Sequence, residues 1–392
     1  MNRRLFLIAA VLTLASIRPA AQNESADPID TDGFGDSARH WHGITDEVPK
    51  QIVPMKGQQL YRKDQVKEIA DNILLYQRSN GGWPKNYDMM AVLTDQQKIS
   101  LRSAENDISL TTFDNGATHS QIIYLAKAYQ TIKDERYKNA ALRGIDFILS
   151  AQYPNGGFPQ FFPDASGYRK NITFNDGAMG GVMKVLGDIV RGRKHFAFVD
   201  PARREKVRSA FELGVACILK CQIPLGDSLT AWCQQHDNVT LEPQNARTFE
   251  PKAICSMESA ELVRFLMEIE RPTDEVKNAV HNAVAWFRGS ALARIRVETV
   301  SMKEKKFMYH SSTEDRVIVK DDSAPQIWSR MYEIGTNRPL FCNRDGKVVY
   351  TLAEVELERR TGYKWYGYEP QEVLDRYAAW CEKQGTVPRA GK

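Results

Sequence analysis

Two short stretches of the chain are near copies of each other, Thr112-Phe113-Asp114-Asn115-Gly116-Ala117 and Thr173-Phe174-Asn175-Asp176-Gly177-Ala178. Each places an Asp beside an Asn and ahead of a Gly at the start of a helix-like run. Asp114 and Asp176 read as occupying matching places in the repeat. Carboxylate and amide oxygens in a flexible shell are what calcium takes, and Asp114, Asn115, Asn175 and Asp176 would supply part of such a shell. Helix N-capping asks for the same residue types. From the residues alone both readings stand.

Two further groups carry polar chemistry. Trp232-Cys233-Gln234-Gln235-His236-Asp237 sets an imidazole beside a carboxylate on an apparent loop, with Arg247 and Glu250 shortly after. A structural His–Asp pair and a plain Arg–Glu ion pair are the bland alternatives. Arg316, Arg330, Arg338 and Arg344 then form a strip with Lys320, interleaved with Trp328, Tyr332 and Phe341. Guanidinium forks match carboxylates at two points and aromatic faces pack on sugar rings, so the strip suits an acidic polysaccharide. Nucleic acid would favour the same residue types.

A second repeat frames the first. Gln77 to Lys85 (QRSNGGWPK) recurs as Gln152 to Gln160 (QYPNGGFPQ), each after an apolar helical pattern, and a weaker copy begins at Gln222. That spacing fits two helices and their loops per unit, hence a ring of helical hairpins. Helical periodicity is expected from about Asp64 to Asn80 and over Asp114–Gln130, Tyr137–Gln152, Gly177–Val190, Ala202–Cys221, Ser256–Glu270, Thr273–Ala291 and Glu369–Lys383. Strand-like material is sparse: Arg316–Val319, Gly346–Tyr350 and Lys306–His310. The expected fold class is therefore all-α.

The chain has 392 residues, 42% of them hydrophobic and 26% charged, enough for a large core. Arg3 and Arg4, the apolar run Leu5 to Ile17 and the small residues up to Ala21 have the three parts of a secretory signal peptide. Residues 1–21 are read as that peptide, 22–60 as a polar N-terminal segment and 61–392 as one catalytic domain, exported to the periplasm or beyond the cell. Without Arg3, Arg4 and Arg18 the formal charge falls from +4 to +1, so net charge selects no partner. No later apolar run is long enough to span a membrane. Six cysteines, Cys217, Cys221, Cys233, Cys255, Cys342 and Cys381, could form disulfides in an exported chain, with Cys217–Cys233 or Cys233–Cys255 near enough in sequence; they lack the spacing of a zinc site, over which buried free thiols are preferred.

These motifs together resemble the family 10 pectate lyases. The likeness runs through nearly the whole chain from Ile69 and rests on Tyr76 to Asn86, Thr112 to His119, Gln152 to Phe161, Thr173 to Ala178, Trp232 to Asp237, Ala246 to Pro251 and Trp328 to Asp345. The resemblance implies an α/α toroid and calcium-assisted β-elimination on polygalacturonate; a monomer is expected, with no membrane partner, and export makes nucleic acid the poorer ligand of the arginine strip. It implies Asp114 and Asp176 as calcium and substrate carboxylates and Arg330 as the base, with motif order favouring Arg330 over Arg338. Arg247 and Arg316 look like substrate arginines. Lys85, Asn115, Asn175, His236, Asp237 and Arg338 complete the expected substrate-binding set.

Elimination must remove a weakly acidic C5 proton, which cations on the adjoining carboxylate make easier. An arginine base must first lose its own proton, which neighbouring cations favour. His236 is the substitute base. The rival readings are a glycoside hydrolase with Asp114 and Asp176 as acid and base, a glycan-binding module that leaves its ligand uncut, and a terpene cyclase, against which the missing Asp-rich run counts.

Overall fold

The computed structural model describes residues 27–43 and 49–389. The expected signal peptide lies outside them. Eleven α-helices are present among the described residues: α1 (Gly35–Gly43), α2 (Val66–Tyr76), α3 (Asp95–Ser103), α4 (His119–Ile132), α5 (Glu135–Ala151), α6 (Ala178–Val190), α7 (Pro201–Lys220), α8 (Ser256–Met267), α9 (Asp274–Ser290), α10 (Leu357–Gly362) and α11 (Glu369–Lys383). Their starts follow capping chemistry. Thr94 and Gln97 form a reciprocal box at α3, while Asp134, Asp200 and Thr273 accept backbone N–H groups at the heads of α5, α7 and α9.

Helices α4 and α5, α6 and α7, and α8 and α9 pack as successive pairs, with α4, α6 and α8 side by side. One glutamine bolts each unit to the next. The Gln77 amide donates to Gly81 O at 3.0 Å and to Ala140 O on α5 at 2.9 Å. Gln152 repeats this to Gly156 O at 3.0 Å and Ala210 O on α7 at 2.8 Å. Gln222 does so to Thr230 O at 2.9 Å and Ala279 O on α9 at 3.0 Å, so the weak third copy is a structural equivalent. Gly156 has φ 92°, and a Cβ there would lie 2.0 Å from Leu213 O, which explains why a glycine ends the turn.

The expectation of an all-α toroid is corrected by twelve strands in five sheets among the described residues. Most are two to four residues long, below the length at which alternation becomes legible. The exception is a hairpin of Ile295–Lys306 against Ser311–Lys320, paired from Ile295 with Lys320 to Lys306 with Ser311 with a register shift between Ser301 and Lys305. The expected strand Arg316–Val319 is part of its second arm, whereas Lys306–His310 holds the bend.

A main core runs from Ile29 through α2 to α9 and back to Cys381. A smaller one joins Phe249, Met331, Phe341 and Trp365 under the short sheets. The N-terminal segment, read from sequence as polar, places Ile29, Phe34 and Trp41 in the main core. All six cysteines are buried thiols. No helix among the described residues is long and apolar enough to cross a membrane.

Candidate active site

Each of the side-by-side helices α4, α6 and α8 begins at the same side of the molecule, and each brings a carboxylate there. Asp114 lies in a 3-10 turn ahead of α4, Asp176 in the matching turn ahead of α6, and Glu258 in the first turn of α8. The two 3-10 turns touch each other, and the start of α8 touches the second. Helix N-termini carry partial positive charge, so this edge favours anions.

The turns hold the chain in the left-handed region at Asn115 (φ 51°) and Asp176 (φ 53°). Asp176 is therefore the backbone equivalent of Asn115, and Asp114 that of Asn175. Reading the two aspartates as matching places is corrected by one residue. The acids are swapped within the copies, and both still reach one cleft.

That cleft has a volume of about 780 Å³, and Lys85, Asp114, Asn115, Asp176, Arg247, Arg316, Arg330, Arg344 and Tyr363 all line it. Lys85 Nζ lies 2.6 Å from Asp114 Oδ2, both side chains buried. Asp114 Oδ1 is buried with no hydrogen-bond partner. Burial first, and the charge of Asp114 second, push the Asp176 carboxyl up to about 6, against the pull of Arg330 and Arg247. Two carboxylates that repel each other, one with an orphaned oxygen, fit a hard divalent cation whose remaining ligands come from a bound anion. Among the described residues no group of three or more His, Cys, Asp or Glu side chains forms a complete metal shell.

A belt of ion pairs backs the opposite wall. Arg330 Nε and Nη2 donate to Glu258 Oε1 at 2.9 and 2.5 Å, and its guanidinium stands 4.4 Å from the Tyr363 ring centroid. Arg247 grips Glu250 at two points, 2.8 and 2.6 Å. Tyr363 donates its hydroxyl to Glu250 at 3.2 Å, and the Gln234 amide donates both to that hydroxyl (2.9 Å) and to Glu258 (3.0 Å). Burial pulls the Arg330 guanidinium down, but Glu258, Tyr363 and Asp176 outweigh it and raise its pKa well above the ordinary value. Arg247 is raised likewise, burial being outweighed by Glu250, Asp176 and Tyr363. Burial would raise Glu250, yet Arg247 and Arg330 hold it down to about 2. The hairpin delivers Arg316, whose Nη1 donates to Tyr363 O at 2.9 Å, and a two-point Arg360–Asp315 pair at 2.7 and 2.8 Å pins the strand there.

The structure gathers seven of the expected site residues in the cleft: Lys85, Asp114, Asn115, Asp176, Arg247, Arg316 and Arg330. Asn175 sits behind, its amide donating to Asp176 Oδ2 at 2.8 Å. Three others do not line it. His236 is fully buried, with Nδ1 2.8 Å from Leu241 O and Nε2 accepting from Cys233 N at 3.2 Å, and burial brings its pKa down to about 4. Both ring nitrogens are occupied by backbone, so a substitute base is excluded there. Asp237 accepts the Val239 and Thr240 N–H groups at 2.9 and 2.8 Å as a turn cap. Arg338 stacks on Tyr350, 3.8 Å from the ring centroid, and turns away from the cleft. The His236 segment works through backbone, pairing Thr173 with Gln235 and Ile172 with His236 to seat the Asp176 turn.

Sequence reasoning missed Glu258, Tyr363, Arg359 and the whole of α1. Glu258 had a signal, since it opens the third of three helices whose predecessors open on the repeated acids. Tyr363 had none, because a lone Tyr in a loop says nothing of what it faces.

The profile of the pectic acid lyase family matches residues 77–374. Among solved structures, the family 10 polysaccharide lyase from Cellvibrio cellulosa is 30% identical, with a TM-score of 0.67 over 81% of this chain and 92% of that one. An Asp-to-Ala mutant of that lyase in complex with trigalacturonic acid is also 30% identical, with a TM-score of 0.66 over 79% of this chain and 91% of that one. No curated protein sequence matches the chain significantly.

Proposed function

This chain belongs to the pectic acid lyase family and is a pectate lyase, and we propose that it cleaves polygalacturonate by β-elimination in the cleft where its two aspartate turns meet Arg330. The observation that carries this reading is geometric: Asp114, Asp176, Arg247 and Arg330 all line one cleft, close enough for Asp114 to raise Asp176 and the two arginines to lower it. Two acids and two guanidiniums thus feel one another inside one cavity.

Asp114 and Asp176 are the residues that would hold calcium, with substrate carboxylate completing the shell. Calcium supplies an electrostatic sink for the charge that develops on the uronate as its C5 proton leaves. Arg247 and Arg316 bind uronate carboxylates and fix the ring, and the rigid Glu250 and Tyr363 contacts keep those guanidiniums in place. Lys85 orients Asp114 through their 2.6 Å contact. Arg330 faces the reacting sugar and takes the C5 proton after losing its own, while the 4-linked oxygen departs with the bond electrons to leave a C4–C5 double bond.

A second reading of Arg330 is favoured by its environment. Glu258, Tyr363 and Asp176 hold it protonated, which suits a fixed cation stabilising the enolate-like charge better than a base. The pH profile separates the two. A base gives activity that climbs with pH far above neutrality, whereas a fixed cation gives a plateau once Asp176 has ionised.

The N-terminal basic and apolar run supports export. The test is incubation with polygalacturonate, with and without chelator, followed in the ultraviolet for unsaturated product. Absorbance that grows in calcium and stops in chelator is expected. New reducing ends without absorbance would make the protein a hydrolase, and binding without shortening would make it a glycan-binding module.

A further inference from the structure

The chain ahead of the family match builds part of the cleft. Asp36, Arg39, His40 and Gly43 of α1 all line it, although the matched stretch begins at residue 77. The helix is docked on the Asp114 turn rather than draped over it. Ser37 donates its hydroxyl to Asn115 O at 2.9 Å. A Cβ on Gly116 would lie 2.2 Å from Gly33 O, so the two backbones touch. Phe34 packs on Tyr124 of α4 with ring centroids 5.4 Å apart. Trp41 is fully buried and donates from Nε1 to Ile52 O at 2.8 Å. His42 lies 2.9 Å from Asp88. Four side chains and one backbone contact thus fix the orientation of a short helix whose remaining face looks into the cleft.

That face carries one guanidinium, Arg39, ion-paired to Asp36. The Arg39 side chain is 66% exposed and the Asp36 carboxylate 36%, so neither is held by burial. The cleft arginines at Tyr363 and Phe249 come from the other wall, on the hairpin and the loops after α7 and around α10. A uronic acid polymer presents one carboxylate per sugar. A guanidinium on α1 thus adds one carboxylate partner to those that Arg247, Arg316 and Arg330 offer in the same cleft.

We propose that α1 forms an additional sugar-binding subsite of the cleft, in which Arg39 binds a uronate carboxylate and Asp36 competes with that carboxylate for the guanidinium. The inference rests on the pectate lyase reading and adds to it a binding element that lies before the family match. Asp36 weakens the subsite by holding one arm of the guanidinium, Nη2, that a two-point grip on the substrate needs.

The experiment measures kcat/KM for trigalacturonate and hexagalacturonate with the wild-type chain, Arg39→Ala and Asp36→Asn. Arg39→Ala is expected to lower kcat/KM for the hexamer roughly fivefold, the size of one partly exposed charged hydrogen bond, and to leave the trimer nearly unchanged. Asp36→Asn is expected to move the hexamer value in the opposite direction. Because Arg39 is exposed, both variants fold, and circular dichroism and unfolding temperature check this. Equal effects on the two lengths, no effect, or a loss in Asp36→Asn would overturn the subsite. A wild-type chain that releases no unsaturated product would instead sink the functional reading itself.

Discussion

Replacing Asp176 by Asn should make the calcium-free protein more stable at neutral pH while abolishing cleavage. The folded pKa of Asp176 is about 6, against an ordinary value of 3.8. The folded state thus holds this proton more tightly than the unfolded chain does. Stability contributed by the protonated form is full below about pH 4 and is lost as pH rises through 6. Two pKa units correspond to roughly 3 kcal/mol, and because one edge of the carboxylate faces water in the cleft, about 1–3 kcal/mol is expected. Asparagine suits the site sterically. It tolerates the left-handed backbone at φ 53° better than most residues, and its amide oxygen can accept the Asn175 N–H that now reaches Asp176 Oδ2 at 2.8 Å. Urea unfolding in chelator at pH 8 is expected to show Asp176→Asn ahead by that margin, with the gap closing toward pH 4. Saturating calcium should reverse the order, since ligand binding stabilises the wild type alone. A variant no more stable than wild type at pH 8 in chelator would refute the idea that the two carboxylates strain each other.

Three other perturbations probe the surroundings. Glu258→Gln removes the largest influence that raises Arg330, so the rising limb of activity should move to lower pH if Arg330 is the base, at a cost of about 3–5 kcal/mol in unfolding free energy. His236→Gln should lower the unfolding temperature and leave turnover per folded molecule within about threefold, because the ring serves backbone atoms rather than substrate. Gln152→Ala breaks two part-buried hydrogen bonds, one within its turn and one to the next unit, and is expected to cost about 2 kcal/mol in thermal or urea unfolding without shifting the pH profile.

How much the sequence discloses depends on the period of the signal. The long helices carry apolar residues at three- and four-residue spacing, and their ends lie within a few residues of expectation. Glu369–Lys383 agrees at both ends. The run expected from Asp114 starts at His119, because Asn115 and Thr118 take positive φ. Strands of two residues have no period to read. The Ile295–Lys306 arm is mostly exposed, so its outward residues hide the alternation. For the site, repetition was the useful signal. It marked both acidic turns and two of the three glutamine bolts plainly. What it could not give was orientation: His236 and Arg338 have the right chemistry, yet backbone partners and an aromatic ring take them elsewhere. Only the fold decides that, since a side chain's direction depends on contacts far along the chain.

The exchange of Asp and Asn between the two turns has a consequence for the sugar chain. Here the backbones repeat but the charges are offset by one residue, so the floor of the cleft has a head and a tail. Pectate is itself polar, with a reducing and a non-reducing end, so a floor built this way distinguishes the two directions of approach; the double bond falls on the new non-reducing end in either case, because the 4-linked oxygen leaves from the sugar that loses its C5 proton.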